Sequence, residues 1–309
     1  MRWLTLALMM VALPARADRN DLTLERLIGP PGVPGAFNDP NGNIPLQSSF
    51  RSLMSELGAV MAPKFLAPSD TLGYSGFHFS FDSSFTSISN KADYWRKGVR
   101  DVSSSFLPTV TVMARKGVWA PVPSFELGVG GSYLVDSSIF ALIAYAKFAI
   151  LEGFHGKPMP SIALRAAVSR LLGTAQADLT VVSTDLSLSK SFGLGGTLKI
   201  DPYVGANLLV MIVRSQVIDT TPYVDAFRQN PTSSIDLNSN TTFPDQDPIL
   251  RWRLFTGLRM VYSILAITAE FAYTFCNDSA LDCQRDNPNK LTDRSDGQAT
   301  LSISGGLIF

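Results

Sequence analysis

Leu301-Ser302-Ile303-Ser304-Gly305-Gly306-Leu307-Ile308-Phe309 closes the chain on a terminal Phe. Successive side chains of a strand point to opposite faces. Leu301, Ile303, Leu307 and Phe309 therefore share one face, and Thr300, Ser302, Ser304 and Gly306 the other. One face suits lipid and the other a polar lumen, the dyad pattern of a membrane-spanning β-strand. Working outward, similar alternation bounded by turn residues recurs near 72–88, 107–117, 122–135, 138–152, 158–173, 177–192, 195–218, 248–262, 263–277 and 297–309. That makes ten segments, an even number, as single-chain bacterial barrels have. No stretch reaches the ~18 uninterrupted apolar residues of a transmembrane helix. The best runs, 139–151 and 261–273, carry Lys147 and Glu270. A membrane chain without helices must close into a barrel, because lipid offers backbone groups no partners.

The terminal strand resembles that of Gram-negative outer-membrane β-barrels, whose final aromatic is an assembly signal. The resemblance implies an all-β, antiparallel up-and-down barrel in the cell outer membrane. It also implies contact with outer-membrane lipid and lipopolysaccharide, and insertion by the barrel-assembly machinery. The other end of the chain agrees. Arg2 precedes an apolar run over 3–13, and Ala15-Arg16-Ala17 offers small residues for cleavage. This predicts a secretory signal peptide over 1–17, since the run is too short to span. Its removal leaves 24 basic residues against 26 acidic ones, with none of the concentrated basic surface that nucleic-acid binding requires. In an oxidising export compartment, Cys276 and Cys283 predict a local disulfide. Both histidines lie far from these cysteines in sequence, so no metal site is expected, nor any cofactor.

Connection lengths test the strand count. The long connections, 89–106, 219–247 and 278–296, all follow odd-numbered segments and so leave one side of the barrel. The second and third are rich in Asp, suited to turns that cap their own backbone. The first carries Lys91, Arg96, Lys97 and Arg100 and could meet lipopolysaccharide phosphates or its acidic neighbours. A tight turn at Asp136-Ser137 sets partners i and j of the third and fourth segments at i + j = 273, so that Phe125 faces Phe148 and Glu126 faces Lys147. A reversal at Tyr262-Ser263 sets i + j = 525 for the eighth and ninth, with Leu258 opposite Ile267. Trp252, Tyr273, Tyr133 and Phe140 are expected in the outer aromatic girdle, with Tyr262 and Phe309 in the periplasmic one. Projected inward, the alternation gives a charged lumen of His78, Asp82, Arg115, Glu126, Lys147, Arg165, Asp185, Lys199, Asp201, Arg251, Arg253, Arg259 and Glu270. In so narrow a barrel these side chains should interlock as ion pairs. The three arginines of the eighth segment alternatively suit an anion-selective zone.

Ahead of the barrel, residues 18–68 read as a periplasmic or plug segment, with the barrel proper over 69–309. Pro, Gly, Asn and Asp punctuate 18–45, and a helix is predicted near 46–62. Phe50, Leu53, Met54, Leu57, Val60 and Met61 fall on one face, and Ser48, Arg51, Ser52, Ser55 and Glu56 on the other. A helix starting on the periplasmic side could bury its apolar stripe as a plug, on the barrel rim, on the inner leaflet or on a periplasmic partner protein. A plug followed by a barrel is similar in plan to the long-chain fatty-acid transporter family. That family has more strands, and an Asn-Pro-Ala motif where this chain has Asn38-Asp39-Pro40-Asn41; no ligand residues carry over.

His78-Phe79-Ser80 places a His and a Ser on one strand face, with Asp82 continuing the row. The outer-membrane phospholipase and lipid A deacylase families also pair a strand His with a following Ser. Their Ser is followed by Asn, whereas Phe81 follows Ser80, and their catalytic groups look toward lipid rather than the lumen. His155 sits in an expected turn. The chain is therefore expected to be a narrow or plugged conduit for small solutes, or alternatively a structural or scaffolding barrel that binds a periplasmic or surface partner. A lipid hydrolase using His78 and Ser80 ranks third, and no enzyme activity is expected.

Overall fold

The computed structural model describes residues 18–29, 44–101, 104–119, 124–152, 159–195, 197–219, 240–276 and 293–309. Ten strands form the wall: β1 (Phe77–Ser87), β2 (Phe106–Val118), β3 (Phe125–Leu134), β4 (Phe140–Leu151), β5 (Ser161–Leu172), β6 (Ala177–Ser189), β7 (Leu198–Ser215), β8 (Ile249–Tyr262), β9 (Leu265–Thr274) and β10 (Gln298–Ile308). Each pairs antiparallel with the next, and β10 pairs back onto β1 from Thr300↔Thr86 to Ile308↔His78. The ring is closed, which leaves no unpaired strand edge for lipid to face. The short strand Phe192–Leu194 folds back onto β7 without joining the ring.

Burial alternates along the strands, and the outward set is apolar. Phe81, Val129, Leu186, Trp252, Ile267 and Leu301 are among its exposed members. Tyr133, Phe140, Trp252 and Tyr273 also face outward, as do Tyr262 and Phe309 toward the other end. The connections 88–105, 216–248 and 275–297 all leave one end, called here the long-loop end. The opposite, short-turn end holds Phe77 and Phe309, whose backbones exchange two hydrogen bonds.

The turn between β3 and β4 puts Asp136 at φ 56°, a left-handed corner that Asp tolerates. It gives Phe125↔Phe148 and Glu126↔Lys147, as expected from i + j = 273. The reversal between β8 and β9 corrects the sequence reading. Ser263 takes the left-handed corner at φ 54°, so Tyr262 still belongs to the strand and the turn is Ser263-Ile264. Leu258 therefore meets Ala269 rather than Ile267. The displacement is two residues, so each side chain keeps its face.

The N-terminal segment runs through the barrel. Asn20 and Asp21 bond Val135, Asp136 and Ser138 at the β3–β4 turn, and Leu24 bonds Gln176 ahead of β6. Helix α1 (Gln47–Met61) then fills the long-loop half of the lumen. The helix thus starts at the long-loop end, whereas the sequence reading starts it at the end of the short turns. From Pro63 to Gly76 the chain descends without regular structure and reaches the short-turn end, where Gly117 donates to the Gly76 carbonyl at 2.9 Å. A second, short helix, α2 (Asp93–Gly98), folds over α1 from the β1–β2 connection.

Two glycines shape the wall. Gly128 and Gly257 stand directly opposite Tyr145 and Tyr203, and a Cβ on either would run into the facing ring. The gaps let both rings lie against the wall. Each hydroxyl then donates to a carboxylate, Tyr145 to Glu126 at 2.6 Å and Tyr203 to Glu270 at 2.9 Å. Gly257→Val is expected to lower stability by about 1–3 kcal/mol through this overpacking, measured by urea titration of the lipid-reconstituted protein. Gly193→Val, where an added Cβ meets nothing within 4 Å, should leave the midpoint unchanged.

Candidate functional site

The candidate site is the lumen, and its two halves differ in chemistry. In the long-loop half the helix face Phe50, Leu53, Met54, Leu57, Val60 and Met61 is at most 2 % exposed. It packs against inward residues of β3 to β8, among them Leu134, Leu171, Leu179, Val181, Leu209 and Met211. Burying each such side chain contributes about 1.5–3 kcal/mol. Phe50 also stacks on Phe243 of the β7–β8 connection, with ring centroids 4.4 Å apart.

From Arg51 onward the other face of α1 is buried as well. Glu56, fully shielded from solvent, accepts hydrogen bonds from the Ser89 amide (2.9 Å) and hydroxyl (2.7 Å), the Tyr94 hydroxyl (2.6 Å) and the Trp95 indole (2.6 Å). Burial first, and then the adjacent Glu56 carboxylate, pushes the Tyr94 phenol well above its ordinary pKa, so its proton stays in place as a donor. Ser52 accepts from the Arg294 amide at 2.7 Å, and Ser55 lies 3.1 Å from Ser295. One carboxylate and two hydroxyls thus fasten the helix to two of the long connections.

Below the helix the wall is charged. Glu126, Lys147, Arg165, Asp185, Asn207 and Arg253 occupy consecutive cross-strand positions from β3 to β8 and form one belt. Within it Lys147 pairs with Glu126 at 3.1 Å and Arg165 with Asp185 at 2.5 Å, while Asn207 bonds Asp185. Arg259 pairs with Asp201 at 2.7 Å. Lys199 lies near Asp201 (3.4 Å) and Asp70 (3.9 Å), and its side chain is 43 % exposed.

The descending segment takes up much of what remains. The wall cations bind its carbonyls: Arg253 that of Pro63 (2.5 Å), Arg165 that of Lys64 (2.9 Å), Arg115 that of Leu66 (3.0 Å), and Lys147 those of Pro68 (3.4 Å) and Asp70 (2.9 Å). The carboxylates bind its amides: Glu270 that of Leu66 (2.7 Å), Glu126 that of Leu72 (3.1 Å) and Glu152 that of Thr71 (3.0 Å). Arg251, fully buried, donates to the Phe275 and Asp296 carbonyls and to Gln298. Lys64 caps the end of α1, donating to the carbonyls of Ala59, Val60 and Ala62 at 2.8–3.1 Å. Each of these lysines and arginines donates to protein groups, while Arg115 Nε, Arg165 Nη2 and Arg253 Nε and Nη1 are buried without a partner among the described residues.

His78, Ser80 and Asp82 face inward on β1 and are at most 2 % exposed. Neither nitrogen of His78 nor the Ser80 hydroxyl has a hydrogen-bond partner. The structure therefore assembles no His–Ser pair from these residues. Cys283 and His155 lie outside the described residues, and with Cys283 the expected disulfide to Cys276. Among the described residues no cluster of metal-ligating side chains occurs. Sequence reading passed over Asn207, Tyr145 and Tyr203, although they share the inward alternation of Asp201, Lys147 and Arg253. It placed Glu56 on the helix face opposite the apolar stripe, and nothing local to the helix reveals that the long loops cover it.

No protein-family model and no curated protein matches the chain in sequence. Solved structures of similar form include three bacterial barrels. Neisserial surface protein A is 10% identical, covering 75% of this chain and 95% of its own, with a TM-score of 0.27. The β domain of the Bordetella autotransporter BrkA is 10% identical, covering 76% and 99%, with a TM-score of 0.35. The outer membrane protease OmpT of Escherichia coli is 8% identical, covering 81% and 99%, with a TM-score of 0.32. Likenesses this distant carry no argument about what the lumen does.

Glu56→Ala leaves the Ser89 amide, the Tyr94 hydroxyl and the Trp95 indole buried without their acceptor, each at about 1–3 kcal/mol. The expected result is a stability loss of roughly 3 kcal/mol or more in urea titration, with faster tryptic cutting at Lys91, Arg96 and Lys97. Glu56→Gln, which keeps one acceptor oxygen, should fall between this variant and the parent.

Proposed function

We propose that the protein is an outer-membrane barrel that works as a scaffold, with a permanently filled lumen, rather than as a conduit. Its apolar outer band and closed ring suit a bilayer, and long connections confined to one end match outer-membrane barrels, whose outer loops are long and periplasmic turns short. One observation carries the scaffold reading: from Pro63 to Leu72, the plug's peptide groups are bound by charged side chains on six strands of the wall. A lid that opened during transport would have to break these bonds together. Among the described residues, one void between plug and wall, lined by Lys64, Asp82, Thr111, Ser132 and Arg165, is about 20 Å³, room for about one water molecule. Glu56, Ser52 and Ser55 join the plug to the long connections, so loops, helix and the 18–29 segment form one surface suited to holding a partner.

The reconstituted protein is expected to be silent in planar bilayers and to admit small sugars into liposomes no faster than lipid alone. Ser69 and Ser187, whose hydroxyls lie 3.0 Å apart, give a lock: Ser69→Cys with Ser187→Cys should cross-link the plug to β6 with no functional change. Discrete conductance steps that vanish on oxidation of this pair and return on reduction would overturn the scaffold reading and establish a displaceable plug.

A further inference from the structure

The plug has a direction, and it runs opposite to a stopper pushed in from the periplasm. Residues 18–29 lie at the long-loop end, where Asp21 accepts hydrogen bonds from Ser138 and donates its amide to Asp18, and where Arg100 and Asp101 donate their amides to Asp21 and Arg19. Leu22 forms a β-bridge with Val99. The contacts then descend in chain order. Glu56 meets the long connections, Lys64 meets Arg165, Leu66 meets Arg115 and Glu270, Asp70 meets Lys147, and Leu72 meets Glu126. The segment leaves beside Gly117 at the short-turn end and turns back into β1.

We infer that the barrel carries its own N-terminal region across the membrane and presents it at the cell surface. The inference rests on the outer-membrane reading above, with the long loops outside. The chain then crosses the bilayer on ten strands and once more through the lumen, so residues 18–29 and Phe309 lie on opposite sides. The seat of this region is specific. Leu22, Leu24 and Leu27 are buried in one cluster with Tyr94, Trp95 and Val99 of the β1–β2 connection. Thr23 donates its amide to Gly98 and its hydroxyl to Lys97, and Gln176 reaches both Leu24 and Glu25. This cluster sits across the mouth of a closed ring. The function that follows is presentation: the 18–29 segment is held outside on a rigid mount.

The test uses single cysteines in the full-length protein, with Cys276 and Cys283 replaced by Ser, probed on intact cells with a membrane-impermeant maleimide. Arg19→Cys reports the N-terminal region, Lys91→Cys the long loops and Ser75→Cys the short-turn end; all three positions are exposed. The expected result is labelling of Arg19→Cys and Lys91→Cys on intact cells, and of Ser75→Cys only after the outer membrane is opened. Labelling of Lys91→Cys without Arg19→Cys would overturn the threading while leaving the barrel's orientation intact. Labelling of Ser75→Cys alone would overturn the orientation and the inference with it. Absence of the protein from the outer-membrane fraction of the same cells would instead strike the outer-membrane reading itself.

Discussion

Between Pro63 and Leu72 the chain passes through the centre of the barrel with no helix or strand to pair its peptide groups. A peptide group shut away from water must still be hydrogen-bonded, and here the wall has to supply the partners. It does so with charged side chains, which reach further and bond more strongly than neutral ones. Cations on β2, β4, β5 and β8 take carbonyls, and carboxylates on β3 and β9 take amides. The lumen is charged because the threaded chain is irregular.

The same constraint explains why the long-loop half is not charged. A helix pairs its own backbone and asks the wall only for shape and apolar surface. On β6 the inward residues change from Ala177, Leu179 and Val181 to Ser183, Asp185, Ser187 and Ser189 along the strand. On β7 they run the other way, from Asp201 and Asn207 to Leu209, Met211 and Val213. The change falls beside the end of α1, where Pro63 ends the helical pairing and Arg253 meets its carbonyl. On the remaining side β1 and β10 stay polar along their length, because Ser52, Ser55 and Glu56 face them and the loops above.

This division shows where sequence reasoning succeeds and where it stops. Alternation over Leu301–Phe309 and the parity of the long connections lead to ten strands, and alternation alone sends Glu126 and Lys147 inward to meet. Register depends on turn geometry, so the β3–β4 pairing followed from a recognisable Asp136 corner, while Ser263, which any position in that turn resembles, hid the β8–β9 offset of two. The inward charges were legible, but their partners were not. A peptide carbonyl of Lys64 or Leu66 carries no signature in the sequence, so ion pairing and an anion-selective zone were the only explanations in view. The apolar half was legible in principle, in the switch from Val181 to Ser183, yet a strand read only by period two does not display a gradient along its length.

An emptied lumen would not be the same barrel without its contents. Arg253 donates to the Pro63 carbonyl of the plug, and the Arg115 guanidinium likewise reaches the Leu66 carbonyl. Without the segment these cations would face one another across a low-dielectric interior, with Glu270 keeping only Tyr203 as donor. A buried charge stripped of its partner costs about 3–5 kcal/mol, so the wall could stand only if water flooded in to solvate it. Even then the apolar half around Leu179, Leu209 and Met211, built to meet α1, would lie bare to that water. Plug and wall therefore depend on one another, and the segment before β1 belongs to the barrel's core as much as any strand does.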